Sequence, residues 1–162
     1  MWTTVLETPT PQNPFAGGDN CVVLEGKIVA PFGPNGADSC TVERGTKIFV
    51  AAWTTECSTF EGNGTSEAEL RACALAADAG ITLATVTVDT QPVLVTEVET
   101  ELLSIHLPKD NIFGLKGADR NGLSVAHGWV VLLDPLAPGT HTIEIHVEGT
   151  INSTITTTIV VQ

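Results

Sequence analysis

Short apolar or alternating stretches, separated by clusters of turn residues, run along almost the whole chain. The turns are rich in Gly, Pro, Asn and Asp and recur roughly every 8–12 residues, the spacing typical of β-sandwiches. No part of the sequence alternates strands with helices as a parallel βαβ sheet requires. The pattern therefore predicts an all-β fold, an antiparallel β-sandwich of about eight or nine strands, immunoglobulin-like or jelly-roll-like. The predicted strands are residues 22–29, 40–42, 46–53, 82–89, 93–98, 103–107, 123–133, 140–148 and 151–161.

One segment departs from this pattern and predicts a short helix near residues 67–79. Ser66 and Glu69 have the spacing of a capping box, in which each side chain accepts from the other residue's backbone amide. Gly80 is suited to follow the helix, because glycine adopts a left-handed conformation without strain. The apolar stripe of this helix consists of Leu70, Cys73, Ala74 and Ala77, spaced at i, i+3, i+4 and i+7.

The length of 162 residues predicts one domain with a substantial core. Prolines and glycines are concentrated in residues 1–20, which suits an N-terminal arm or edge segment better than a central strand. Residues 21–162 are then the single β-sandwich domain. The first four residues have neither the basic nor the apolar region of a signal peptide.

Four cysteines, Cys21, Cys40, Cys57 and Cys73, are distributed without any Cys-x-x-Cys pair, which argues against zinc-ribbon and thioredoxin-like sites. An even number of cysteines in a turn-rich β protein is typical of disulfides formed in an oxidising compartment. The alternative is four buried thiols. Of the three possible pairings we predict the nearest-neighbour one, Cys21–Cys40 and Cys57–Cys73. This predicts a secreted or extracellular protein, or a periplasmic one, whose leader has been removed.

Acidic side chains outnumber basic ones by 19 to 7, which gives a formal net charge of −12. Such a chain repels phosphate backbones and anionic lipid, so we expect no nucleic-acid partner. We also expect no membrane insertion, because no stretch approaches the roughly 20 apolar residues of a membrane span. The partners that remain are an extracellular protein or glycan surface, or further copies of the same chain.

Catalytic arrangements within single strands fail a test of side-chain parity. Ser124 and His127 lie three residues apart on one predicted strand, so their side chains point to opposite faces, and a local triad with Asp134 is not expected. His141 and His146 fail as a metal pair for the same reason. Any active site would have to be built from loops at one end of the sandwich. On that assumption the candidate catalytic residues are His127, Glu56 and Asp119.

Calcium is the one cofactor that the sequence suggests. An acidic Gly/Asn loop contains Glu56, Glu61 and Asn63, whose carboxylate and amide oxygens suit weak extracellular Ca²⁺ binding. A second loop, Asp119-Arg120-Asn121-Gly122, matches part of a Ca²⁺-loop pattern but lacks its third acidic position and its bidentate Glu. We therefore predict the first loop as the metal site, if the protein has one.

Five segments between residue 13 and about residue 149 form an ordered series of motifs. They are NPF…C…G, C-T-V-x-x-G-T-K-I-F, E-C-S…E-A-E-L-R-A-C, L-P-x-x-N-I-F-G and G-W-V-V-L-L-x-P-L-x-P-G-x-H-T-I. This series resembles a group of uncharacterised secreted bacterial β-sandwich proteins with paired cysteines. The resemblance is most specific at residues 56–58, 67–73 and 135–143. It implies export and a disulfide-bonded sandwich, and it implies no activity.

These observations favour a secreted binding, adhesion or assembly module without catalytic activity. The alternative is a small extracellular hydrolase or metal-dependent enzyme with a site at one end of the sandwich. Outward-facing Thr154, Thr156 and Thr158 could form a flat binding face, or could reflect the high β-propensity of threonine on a solvated strand.

Overall fold

The computed structural model describes all residues 1–162 and contains eleven strands and two α-helices. The helices are α1 (Trp2–Leu6) and α2 (Glu67–Asp78). The strands are β1 (Cys21–Leu24), β2 (Ile28–Pro31), β3 (Ser39–Val42), β4 (Lys47–Ser58), β5 (Ile81–Val88), β6 (Gln91–Val93), β7 (Thr96–Glu99), β8 (Leu103–His106), β9 (Asn121–Leu133), β10 (Gly139–Gly149) and β11 (Ser153–Val161). Short 3₁₀ turns occur at Thr10–Gln12, Pro14–Ala16 and Gly117–Arg120.

The strands form two sheets, which confirms the all-β, sandwich-like class. The six-stranded sheet has the order β1-β2-β4-β9, and β7 and β8 follow one another along the far side of β9. The five-stranded sheet has the order β3-β11-β10-β5-β6. The pairs β2–β4 and β3–β11 are parallel, and the others are antiparallel as expected.

Two predicted strands are each divided in the structure, which is why there are eleven strands. Residues 22–29 form the hairpin β1–β2, because Gly26 and Lys27 adopt positive φ angles of 70° and 61° and reverse the chain. Residues 93–98 leave one sheet and enter the other at Leu94 and Val95, between β6 and β7. Leu94 and Val95 are apolar, so the hydrophobic pattern does not locate the second break, whereas the first falls at the polar residues Glu25 and Lys27 on either side of Gly26.

The strands β4 and β9 are the longest in the protein. One face of this pair is covered partly by the five-stranded sheet and partly by α2. At one end, Ile48, Val50 and Val131 pack in the main core against the five-stranded sheet. Toward the other end, Cys57 and Val125 pack against α2. A one-residue bulge at Ala52, where Ala51 pairs with Val130 and Trp53 with Trp129, keeps the two halves of β4 facing the same side.

Helix α2 begins at the predicted capping box, since Ser66 accepts from the Glu69 amide and the Glu69 carboxylate accepts from the Ser66 amide. The Glu69 carboxylate accepts hydrogen bonds from the backbone amides and hydroxyls of Thr65 and Ser66. These bonds, above all the one from the Thr65 amide, lower the pKa of Glu69 to about 2. Leu70 and Ala74 of the predicted stripe are fully buried. The predicted helix is confirmed, but Ala77 of its predicted stripe is exposed, and Gly80 follows the helix without the expected left-handed conformation.

Residues 1–20 pack against the opposite, outer face of the six-stranded sheet. Val5 and Leu6 of α1 are almost completely buried. Val5 contacts Val22 and Ala30, while Leu6 lies in a separate cluster with Ile105 and Leu107. The sequence, which predicted an arm or edge segment here, did not indicate this helix.

Both predicted disulfides are present and no cysteine is free. Cys21–Cys40 joins β1 to β3, which are edge strands of different sheets, and so ties one side of the sandwich together. Cys57–Cys73 joins β4 to α2 across 16 residues. No helix has the length and apolar character to cross a membrane.

Replacing Cys57 and Cys73 together by Ser should lower the free energy of unfolding by about 3 kcal/mol, because the bridge closes a short loop in the unfolded chain. Amide exchange in α2 should accelerate selectively, since this bridge anchors the helix. Urea unfolding and hydrogen exchange measure the two effects. The matched Cys21→Ser/Cys40→Ser variant should leave α2 exchange unchanged, and equal exchange in both variants would contradict the anchoring role.

Candidate functional site

His127 lies on the inner face of β9, where α2 covers the six-stranded sheet, and is 6% exposed. Its Nδ1 lies 2.8 Å from Oδ2 of Asp78, the last residue of α2. Its Nε2 lies 3.1 Å from Oε1 of Glu97 on the edge strand β7. A carboxylate therefore faces each ring nitrogen.

The Asp78 carboxylate is 2% exposed and receives further hydrogen bonds from β4. Trp53 Nε1 donates to Asp78 Oδ1 at 2.6 Å, and the Thr55 hydroxyl donates to the same oxygen. These donors replace the water that a buried carboxylate would otherwise require. We call Trp53, Thr55, Asp78, Glu97 and His127 the His127 network.

The bulge at Ala52 explains why β4 contributes to this network. After the bulge, Trp53 pairs with Trp129 and Thr55 with His127, so both β4 side chains point toward α2. Gly128 is required between them, because a Cβ at that position would collide with the Trp53 carbonyl. The network joins α2, β4, β7 and β9, and all of its nitrogens and both Asp78 oxygens are engaged within it.

The opposite face of the same strands carries a second polar group. Glu56 pairs with Ala126 and points away from His127, and the Ser124 hydroxyl donates to its carboxyl group. Burial raises the pKa of Glu56 to about 7; the Ser124 hydrogen bond opposes this rise and the nearby Glu61 charge adds to it. We call Glu56, Ser58, Glu61 and Ser124 the Glu56 cluster.

Asn63 closes the loop beside this cluster. The side-chain Oδ1 of Asn63 accepts from the Ser58 backbone amide at 2.9 Å, and the Asn63 backbone N–H donates to the Ser58 carbonyl at 3.2 Å. The Ser58 hydroxyl is completely buried and lies close enough to the Glu56 carboxyl to lower its pKa, but it makes no hydrogen bond of regular geometry.

The three candidate catalytic residues are not brought together. His127 and Glu56 lie on opposite faces of one sheet, and Asp119 is exposed in the 3₁₀ turn Gly117–Arg120. The parity prediction is confirmed, because Ser124 contacts Glu56 and makes no contact with His127; Asp134 instead forms an exposed ion pair with Lys47. No group of three or more His, Cys, Asp or Glu side chains is arranged to hold a metal ion.

Two other histidines are also paired with carboxylates. The pKa of His141 is raised by its hydrogen bond to Asp89, whose own pKa is lowered by the same contact. His146 lies with Nε2 3.0 Å from Glu148 and Nδ1 3.0 Å from the Thr154 hydroxyl. That order of hydroxyl, imidazole and carboxylate is the order of a hydrolytic triad. It lies on a flat exposed strand face, where hydrogen bonds to both neighbouring strands occupy the β10 amides.

Sequence reasoning missed Asp78, Glu97 and the polar role of Trp53. A signal for Asp78 was available, because it follows Ala74 by four residues and Leu70 by eight and so continues the buried stripe of α2. A charged residue on a buried helical stripe indicates a partner inside the protein. Glu97 carried no such signal, since it is one of several acidic residues on an exposed edge strand.

Comparisons with known proteins identify no family. No family model matches the chain, and no curated protein matches it. One similar solved structure is the cysteine protease inhibitor EhICP2 from Entamoeba histolytica, with a TM-score of 0.32, 11% identity, and coverage of 83% of this chain and 93% of that one. Another is the solution structure of Amebosin, with a TM-score of 0.29, 11% identity, and coverage of 83% and 96%. Similarity at these TM-scores supports no conclusion about fold or function.

Replacing Asp78 by Ala should lower the free energy of unfolding by about 3–5 kcal/mol, because His127, Trp53 and Thr55 would lose a buried acceptor. Urea unfolding measures this change. Glu97→Gln is the matched control, since the Glu97 side chain is 60% exposed and should contribute at most about 1 kcal/mol. Equal losses in the two variants would show that the buried carboxylate has no special structural role.

The Glu56 cluster predicts an unusual dependence of stability on pH. Its folded-state pKa of about 7 exceeds the reference value of 4.5, so the folded protein binds this proton more tightly than the unfolded chain. The resulting stabilisation is complete below about pH 4.5 and is lost as the pH rises through 7. The loss is at most about 3 kcal/mol, reduced by the partial exposure of the side chain.

Urea unfolding at pH 5 and pH 8 tests this expectation. Glu56→Gln, which is neutral at both values, should lose less stability between them than the parent protein. Glu25→Gln, at an exposed position, should behave like the parent. A parent protein and a Glu56→Gln variant with the same pH dependence would refute the assignment.

Proposed function

We propose that this chain is a secreted β-sandwich module that binds, adheres or assembles and has no catalytic activity. The observation that carries the proposal is the saturation of the His127 network. Its imidazole nitrogens and the Asp78 carboxylate belong to the two buried ionisable side chains of the protein, and they are engaged within a network that joins four elements. Groups held in this way stabilise the fold and are not free to transfer protons to a substrate.

Features of the scaffold support a role outside the cell. Two disulfides are typical of oxidising compartments. The Cys21–Cys40 bridge and the short link at Leu94 and Val95 hold the two sheets together at opposite edges, the arrangement of an autonomous module. The resemblance to exported bacterial β-sandwich proteins points the same way, and we propose that this chain is one of them, with an immunoglobulin-like or jelly-roll-like strand arrangement.

We propose that the binding surface is the outer side of β5, β10 and β11. On this side Glu144 lies between Thr87 and Thr156, and His146 between Thr85 and Thr154, while Ile143, Ile145 and Val147 face the core. Of the six threonine hydroxyls on this side, only those of Thr85 and Thr154 hydrogen-bond to other residues. We call this surface the threonine face; it comprises Thr85, Thr87, Thr142, Glu144, His146, Glu148, Thr154, Thr156 and Thr158.

The favoured partner is an extracellular protein surface with basic side chains. The net charge of −12 opposes association between copies of the chain at low ionic strength. The threonine face has no Phe, Trp or Tyr on which a sugar ring could stack. Glu144 and Glu148 supply charges that attract basic groups.

A photo-crosslinking residue at Thr156 should capture a protein from the medium in which the chain is naturally found, and the same residue at Thr96 should not. Both positions are exposed, but only Thr156 lies on the threonine face. The captured protein, once purified, should bind Thr156→Arg at least about tenfold more weakly than the parent, and Thr96→Arg unchanged. Equal capture from both positions, or equal affinities, would contradict the proposed surface.

The second candidate is a small extracellular hydrolase, which only the Thr154–His146–Glu148 arrangement favours. Chromogenic esters, glycosides and peptides distinguish the two functions. Turnover that is lost in His146→Ala and kept in His141→Ala would favour the hydrolase. The binding module should show no turnover above that of the buffer.

A further inference from the structure

The Glu56 cluster has the composition of a site for a hard cation. Four side chains bring oxygen atoms to it: two carboxylates from Glu56 and Glu61 and two hydroxyls from Ser58 and Ser124. No Lys, Arg or His forms an ion pair with either carboxylate. The cationic side chain of the adjacent helix, Arg71, is already paired with Glu67 and Glu99.

An independent observation is the Ser58 hydroxyl. It is 0% exposed and lies close enough to the Glu56 carboxyl to lower its pKa, yet no group around it completes a hydrogen bond of regular geometry. A buried polar oxygen without a regular hydrogen bond destabilises the fold, because it has lost its contact with water. A bound cation would give this oxygen a partner, because it accepts an electron pair from the hydroxyl and is attracted by the carboxylates of the Glu56 cluster.

We propose that Glu56, Glu61 and Ser58 bind one Ca²⁺ ion, with water completing the coordination shell and with Ser124 positioning the Glu56 carboxylate. Ligands that are all oxygen exclude a preference for zinc or copper, which favour nitrogen and sulfur. Ca²⁺ tolerates irregular geometry and six to eight ligands, whereas Mg²⁺ requires a regular octahedron. The ligands come from a strand end and a partly exposed loop, an irregular arrangement that suits Ca²⁺ better than Mg²⁺.

The structure changes the ligand set expected from the sequence. The Asn63 side chain is already engaged, since its Oδ1 accepts from the Ser58 amide. Asn63 therefore shapes the loop and is not a ligand. Ser58 takes the ligand position that the sequence analysis assigned to Asn63. The Cys57–Cys73 bridge immediately precedes Ser58 and fixes this end of β4 to α2.

The test is equilibrium dialysis of the purified protein against ⁴⁵Ca²⁺, together with thermal melts in Ca²⁺ and in EDTA. The parent should bind one Ca²⁺ saturably with a dissociation constant of about 10⁻⁴–10⁻³ M, the range of weak extracellular sites, and should melt at a higher temperature in Ca²⁺. Glu56→Gln should lose at least about tenfold in affinity, equivalent to one lost carboxylate ligand. Ser58→Ala should remain folded and lose affinity severalfold.

Asp119→Asn is the matched control, because it removes one acidic charge from the other loop that the sequence suggested. Its affinity should equal that of the parent. Absent or unsaturable binding would overturn the proposal, as would unchanged affinity in either Glu56→Gln or Ser58→Ala. Loss of binding in Asp119→Asn equal to that in Glu56→Gln would also overturn it, because it would indicate attraction by the overall negative charge of the protein.

Discussion

The pairing of β4 with β9 is the interaction on which the rest of the structure depends. These strands match at ten positions from Ile48–Leu133 to Ser58–Ser124, with one bulge at Ala52. Because the pair extends beyond the five-stranded sheet, its inner face needs a second cover, which α2 provides. The bulge keeps that face continuous: without it, the side chains of Trp53 and Thr55 would point to the other side of the sheet.

Two polar clusters lie back to back on this strand pair because adjacent residues alternate between its faces. Thr55 belongs to the His127 network and Glu56 to the Glu56 cluster. In the first cluster, Trp53, Thr55 and His127 all hydrogen-bond to the buried Asp78 carboxylate. In the second, burial raises the pKa of Glu56 to about 7, and the Ser58 hydroxyl makes no hydrogen bond of regular geometry. The difference in saturation is the physical reason for assigning structure to one and ligand binding to the other.

The distribution of charge also distinguishes these regions. Glu99 on the edge strand β7 forms an ion pair with Arg71, so part of the negative charge is neutralised within the fold. The edge strand also gains protection from association with other chains, since charged side chains disfavour strand addition. The threonine face retains Glu144 and Glu148 on a flat surface, where a partner can reach them.

The sequence by itself determined the all-β class, the capped helix α2 and the separation of Ser124 from His127, and it favoured disulfides while leaving three pairings open, of which the structure has the nearest-neighbour one. Each follows from local rules: periodicity, capping chemistry, cysteine spacing and strand parity. Only the tertiary structure decided that β1 and β2 form a hairpin, that α1 packs on the outer face, and that Asp78 meets His127. The hairpin depends on a turn at Gly26 and Lys27, and the partners of Asp78 depend on a bulge at Ala52 and on a contact between residues 49 positions apart. The helical stripe marks Asp78 as buried, but no periodicity in the sequence identifies what it contacts.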